Sequence, residues 1–160
     1  MNRTPDGDSL PRSVCDHCGF VAYDNPKIVV GAFVRFEDKI LLCRRAIEPS
    51  KGLWTIPAGY LEHGETPKEG AAREAWEEAT AAIEIESLLA VYTVRRLGQV
   101  QLIYRARLSS PAFAPGVESL AVQLFPQDEL PEETIAFPTV RWALRQERDE
   151  GGPFTNLEGA

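Results

Sequence analysis

A chain of 160 residues, 44% hydrophobic and 26% charged, is ordinary globular material and long enough for one domain with its own core. Its formal net charge of −7 excludes bulk nucleic-acid binding, which needs a basic face, but not a phosphate-bearing small molecule, because bound cations reverse the local sign. No apolar run is long enough to span a membrane, and the polar start MNRTPDGDSLPRS lacks the apolar stretch of a signal peptide, so a cytoplasmic protein is expected.

The first chemical motif is Cys15-Asp16-His17-Cys18-Gly19. C-x₂-C followed by glycine supplies two of the four ligands of a tetrahedral zinc ribbon, and no other C-x₂-C occurs in the chain. His17 sits between the two cysteines, where reaching the same ion is awkward. Cys43 lies in the strand-like run LLCRR, where a small buried residue is expected. Three cysteines so unevenly placed make no disulfide framework. Zn²⁺ is therefore not expected here. Residues 1–24 read as a residual half ribbon or a flexible N-terminal segment, ahead of a main domain over 25–160.

Residues 28–36 (IVVGAFVRF) and 39–45 (KILLCRR) read as two strands joined by a short Glu37-Asp38 turn. Arg44 and Arg45 end the second strand, where a paired arginine can grip a diphosphate bidentately. Adjacent strand residues point to opposite faces, so one of the two is as readily solvated. In residues 52–59 (GLWTIPAG), Pro57 and Gly59 predict a non-regular backbone whose carbonyls turn outward to a cation. His63, in the loop that follows, reads as solvated rather than catalytic.

The rest of the chain is organised around residues 59–81, GYLEHGETPKEGAAREAWEEATA. Thr66 can cap a helix, Pro67 suits its first position, and Glu69 closes a capping box. At 3.6 residues per turn Glu74, Glu77 and Glu78 share one face. Ala72, Trp76 and Ala79 fall opposite, a face that can pack into the core, and Trp76 is predicted buried. Gly70 and Ala71 fall toward the carboxylates, leaving room for a loop or substrate. Three carboxylates this close repel unless something cationic sits among them, and only Arg73 is near. An oxygen-only cluster selects a hard cation such as Mg²⁺.

Residues 83–94 and 100–108 read as a second hairpin around Leu97-Gly98, with Arg95, Arg96, Arg105 and Arg107 mostly solvated. Residues 111–116 form a loop, Glu118 follows it, and 120–125 is strand-like. Residues 137–150 close the chain as an amphipathic helix with Val140, Ala143 and Leu144 on one stripe.

Gly59, five residues, Glu65, seven residues, then Arg73-Glu74-Ala75-Trp76-Glu77-Glu78 resembles the signature box of the Nudix hydrolases. One departure is the family's glycine after the Glu pair, which is Thr80 here. Glycine there would end the helix left-handed, at a cost to a β-branched residue of roughly 1–2 kcal/mol, so the helix is expected to run on into Ala81 and Ala82. Residues 15–59 resemble a Nudix subgroup, related to ADP-ribose and FAD pyrophosphatases, with a zinc ribbon ahead of the hydrolase domain. The matching residues are Asn25-Pro26-Lys27, Cys43-Arg44-Arg45-Ala46 and Gly52 through Gly59. Another cysteine pair precedes this one in that subgroup, so the resemblance implies a decayed ribbon or a start placed downstream of the true one.

The resemblance implies an α/β fold, the Nudix-type α/β/α sandwich with a mixed sheet. It also implies Mg²⁺- or Mn²⁺-dependent hydrolysis of the diphosphate linkage of a nucleoside diphosphate joined to another moiety, ADP-ribose or FAD. It puts the Gly59 carbonyl, Glu74, Glu77 and Glu78 on the metal, with Glu65 and Arg73 orienting those carboxylates from behind. Glu65, Arg73, Glu77 and Glu118 make up the implied catalytic set, Glu118 matching a late-loop acid that serves some Nudix enzymes as metal ligand or base. Arg44 and Arg45 would meet the substrate. The implied partner is a small molecule, with no nucleic acid or membrane, and a homodimer is allowed. The competing reading is a catalytically silent nucleotide-binding module, which has no need of Glu65, Glu74, Glu77 and Glu78 together.

Overall fold

The computed structural model describes residues 1–149 and 151–157. Three short strands, β1 (Asn2–Arg3), β2 (Arg12–Val14) and β3 (Val21–Ala22), pair antiparallel, with the C-x₂-C turn between the last two. Asp8 steadies the connection from β1 to β2 by accepting the N–H groups of Ser9 and Leu10 and pairing with Arg12 at 2.9 Å. Residues 2–22 thus hold a small three-stranded sheet, with Val14 its buried side chain.

The larger sheet has seven strands. They are β4 (Lys27–Phe36), β5 (Lys39–Arg45), β6 (Trp54–Thr55), β7 (Ala58–Tyr60), β8 (Ile83–Val94), β9 (Gln99–Leu108) and β10 (Ser119–Pro126). The order is β10-β5-β4-β9-β8, with β6 beside β5 and β7 beside β4. β4 and β9 run parallel and their neighbours antiparallel, so the sheet is mixed. The β8–β9 hairpin pairs along its length around a 3₁₀ turn at Arg95–Leu97. The β4–β5 hairpin pairs only beside its turn, at Arg35–Ile40 and Phe36–Lys39, after which β4 takes β7 and β5 takes β6 as partner. That opening lets the signature segment lie along the first half of β4.

Side-chain alternation then builds two cores. Phe33, Ile40 and Leu42 face α2 (Pro138–Gln146), whose Val140, Ala143 and Leu144 are buried as the amphipathic stripe predicts, and Trp142 meets Tyr92 edge-on at 5.3 Å. The C-terminal helix is shorter than expected, and Glu150 lies outside the described residues. Ala32, Val34, Leu41 and Cys43 point the other way and meet Ala79 of α1 (Pro67–Ala79). A helix on each face of a mixed sheet is the α/β/α sandwich. Among the described residues no helix is long and apolar enough to cross a membrane.

Candidate active site

α1 begins as its sequence requires. Thr66 caps it, the Glu69 N–H donating to the Thr66 hydroxyl and the Thr66 N–H to the Glu69 carboxylate at 2.7 Å, with Pro67 at the first position. Its buried face departs from the expectation. Ala71, Ala75 and Ala79, four apart, are fully buried, and Glu74 and Glu78 lie on that same side with 9% and 7% exposure. Of the face predicted for the core, Ala79 is buried, Ala72 is half-buried and Trp76 is 58% exposed, so the tryptophan stands outside. The alanines have no bulk beyond Cβ, which lets the helix sit close to β4 and β7 and carries the two glutamates inward with it.

The underlying surface is shaped to receive them. Residues expected to be irregular form β7 instead, with Gly59 paired to Val30 of β4. A Cβ on Gly59 would fall on the Glu74 carboxylate, so only glycine allows this approach. The neighbouring Ala58 N–H donates to Glu78 Oε2 at 3.3 Å.

Arg73 ties the remaining acids together. Its Nε and Nη2 donate to the two oxygens of Glu65 at 3.0 and 2.8 Å, and Nη1 reaches Glu74 at 2.7 Å and Glu77 at 3.1 Å. Nη2 also donates to the Tyr60 carbonyl, and the Glu62 N–H donates to Glu65, fixing the loop that holds it. This bidentate pairing holds the Glu65 carboxyl down at about 2. Burial acts oppositely on the inner pair. The Glu74 carboxyl is raised by burial against the opposing pull of Arg73, with the charges of Glu77 and Glu118 adding to the rise. Glu78 is pushed up to about 8 by burial and then by Glu74, while the Ala58 N–H and the Arg45 charge pull it down.

Sequence-predicted residues therefore separate into groups. Glu65, Arg73, Glu74 and Glu77 form one connected network, and Glu78 lies one turn beyond Glu74. Glu118 is exposed but close enough for its charge to act on Glu74 and Glu78. Arg45 sits over the Phe137 ring at 5.1 Å and its charge reaches Glu78, whereas exposed Arg44 turns to the Gly52 carbonyl at 2.8 Å. His63 is exposed, as expected. Among the described residues no three acidic, histidine or cysteine side chains converge closely enough to enclose a cation by themselves. Cys15 and Cys18 are exposed on the small sheet, and the backbone N–H groups of Cys18 and His17 hold the Cys15 thiol below its ordinary range.

Sequence reading missed the backbone partners. The N–H of Ala58 and the carbonyl of Tyr60 carry no side-chain signal, and only Gly59 between them hints at a close approach. It also missed the end of α1. Thr80 takes the left-handed conformation, φ 45° and ψ 29°, and its N–H and that of Ala81 turn back to the carbonyls of Trp76 and Ala75. The helix does not run on, because residues 111–118 lie across its end and supply compensating hydrogen bonds.

Comparisons with known proteins agree with this geometry. The model of the NUDIX domain matches residues 25–145, and the zinc-ribbon model described as Nudix N-terminal matches residues 1–24. A crystal structure of a NUDIX hydrolase from Nitrosomonas europaea superposes with a TM-score of 0.91 at 46% identity, covering 98% of this chain and 91% of that one. A MutT-like protein of Streptomyces ambofaciens is 36% identical over 125 residues, 78% of each chain. An ADP-ribose pyrophosphatase of Methanocaldococcus jannaschii is 38% identical over 71 residues, 44% of this chain and 42% of that protein. With the family's domain model running from β4 into α2 over the acid-bearing helix, the chain belongs to the Nudix hydrolases and carries the family's N-terminal ribbon segment ahead of the domain.

Proposed function

We propose that the protein hydrolyses the diphosphate linkage of a nucleoside diphosphate joined to another moiety, ADP-ribose or FAD, with Mg²⁺ or Mn²⁺. The observation that carries this is the inner pair of carboxylates. Glu74 and Glu78 are buried side by side with their carboxyls raised despite the Arg73 and Ala58 N–H contacts, a cost that a bound metal cation would relieve. An all-oxygen donor set suits a hard divalent ion, with Glu74, Glu77, Glu78 and the Gly59 carbonyl as the proposed ligands and water completing the shell. When bound, such an ion neutralises the diphosphate and lowers the pKa of a water. The chain's own groups then have distinct tasks. Arg73 and Glu65 fix the orientation of Glu74 and Glu77, and Arg45 with Arg44 holds the substrate's phosphates. Glu118, outside the Arg73 network, takes the proton as water attacks phosphorus. The bridging P–O bond breaks, and two phosphate monoesters leave. From ADP-ribose these are AMP and ribose 5-phosphate.

The similarity to an ADP-ribose pyrophosphatase supports the choice of substrate. We place the protein in the cytoplasm, acting on small molecules rather than nucleic acid, with residues 1–24 as a module separate from the hydrolase domain, no zinc requirement for turnover, and a homodimer allowed. A second reading, a silent nucleotide-binding module, draws on the hold that Arg73 has on Glu74 and Glu77. Turnover decides between them. A panel of ADP-ribose, FAD, NADH, diadenosine polyphosphates and nucleoside triphosphates with Mg²⁺ and Mn²⁺, products identified by mass, should yield AMP from ADP-ribose or FAD. Binding without hydrolysis across the panel would establish the silent module instead.

A further inference from the structure

Residues 111–118 are fastened to the C-terminal end of α1. The Ala114 N–H donates to the Ala79 carbonyl and the Gly116 N–H to the Glu78 carbonyl, each at 2.9 Å, satisfying two acceptors that a helix end leaves open. Gly116 comes so near the Glu77 carbonyl that a Cβ there would overlap it. A third link comes from a side chain. Thr80 Oγ1 donates to the Ala114 carbonyl at 3.2 Å. Thr80 makes this bond from a left-handed backbone that a β-branched residue adopts only against strain. Glycine would cap the helix without strain, so what threonine adds is the hydroxyl. Downstream, the Ala46 N–H donates to the Glu118 carbonyl at 2.8 Å and the Ser119 N–H to the Gly116 carbonyl at 3.1 Å, fixing the backbone on both sides of the Glu118 carboxylate. The charge of that carboxylate acts on both Glu74 and Glu78.

We propose that Thr80 is a positioning residue, its hydroxyl tying the 111–118 loop to the end of α1 so that Glu118 stays beside Glu74 and Glu78. The proposal rests on reading Glu74 and Glu78 as cation ligands, with the Glu118 charge adding to the cation's hold, and the test keeps the two apart. Thr80→Val removes the hydroxyl and keeps the shape, Thr80→Gly removes hydroxyl and strain together, and Thr80→Ser keeps the hydroxyl. Amide hydrogen exchange at Ala114 and Gly116 in the metal-free whole chain reads the tether, and Mn²⁺ titration reads its consequence. The Val and Gly variants should exchange these amides about 10-fold faster and bind Mn²⁺ about 10-fold more weakly, the range seen when a group supporting metal ligands is lost. The Gly variant should melt no lower than the parent, and the Ser variant should match the parent throughout. Unchanged exchange in both the Val and Gly variants would overturn the tether. Faster exchange with unchanged Mn²⁺ binding would overturn its positioning role. Equal Mn²⁺ binding by Glu78→Gln and the parent would instead sink the cation reading, leaving the exchange data to judge the tether.

Discussion

Replacing Glu78 by Gln should stabilise the metal-free protein, and by an amount that depends on pH. The Glu78 carboxyl is raised by burial to about 8 from an ordinary 4.5. The folded state thus favours the protonated form, and this group's contribution is fully present below about 4.5 and is lost as pH rises toward 8. At 1.36 kcal/mol per unit, the penalty at pH 7 is on the order of 3 kcal/mol, rising by a further kcal/mol or so by pH 9. Gln is uncharged, nearly isosteric, and its carbonyl can still accept the Ala58 N–H. Urea denaturation in EDTA from pH 5 to 9 should therefore show the parent losing stability with pH relative to Glu78→Gln. The variant should melt higher at pH 7, by roughly 2–4 °C for each kcal/mol in a domain of this size. Mg²⁺ at about 1,000 times its dissociation constant should reverse the order, because a cation binding only the folded state then adds about 4.1 kcal/mol, more than the penalty at pH 7. Parallel pH profiles for the two proteins would refute the claim that a buried carboxylate destabilises the fold.

Three further outcomes follow from the geometry. Trp76→Ala should change stability by under about 1 kcal/mol, since the ring stands outside the core, where a buried tryptophan would cost roughly 3–5 kcal/mol in a urea titration. Gly59→Ala should displace the Glu74 carboxylate and abolish cation-dependent turnover, measured with Mg²⁺ at saturation, and full activity would contradict the close approach at Gly59. Replacing Cys15 and Cys18 together by Ser should leave hydrolysis and the melting of the main sheet unchanged, because every proposed ligand lies on or beside α1. One zinc per two chains by elemental analysis, with loss of a dimer in that double variant, would show instead that two copies share a closed site.

Much of this was legible in the sequence. The start of α1 was written in Thr66, Pro67 and Glu69, whose preferences are local and strong. Both hairpin turns and the buried stripe of α2 were readable because short-range pattern decides them. The orientation of α1 was not. Periodicity grouped Glu74, Glu77 and Glu78 on one face, as a cation site, and put Trp76 in the core on the face opposite. The fold instead turns Trp76 outward and buries Glu74 and Glu78 beside the alanines, because three alanines pack closer than one tryptophan and the inner acids find Arg73 and the Ala58 N–H as partners. Local propensity failed at Thr80 for a related reason. Its left-handed strain is offset by a loop 34 residues away in sequence, which no local rule registers. Gly59 read as loop-forming because glycine is rare in strands, whereas it is a strand residue kept small for a neighbour's carboxylate.

The central claim, that the buried acids of α1 hold the cation on which hydrolysis depends, is tested most directly by AMP release from ADP-ribose or FAD as Mg²⁺ is varied, in the parent and in Glu78→Gln. The parent should require Mg²⁺ and stop with chelator, and the variant should lose at least about 100-fold in turnover at saturating Mg²⁺, the upper end of what even an outer partner of a metal ligand contributes. Equal turnover and equal Mg²⁺ dependence in the two proteins would contradict it.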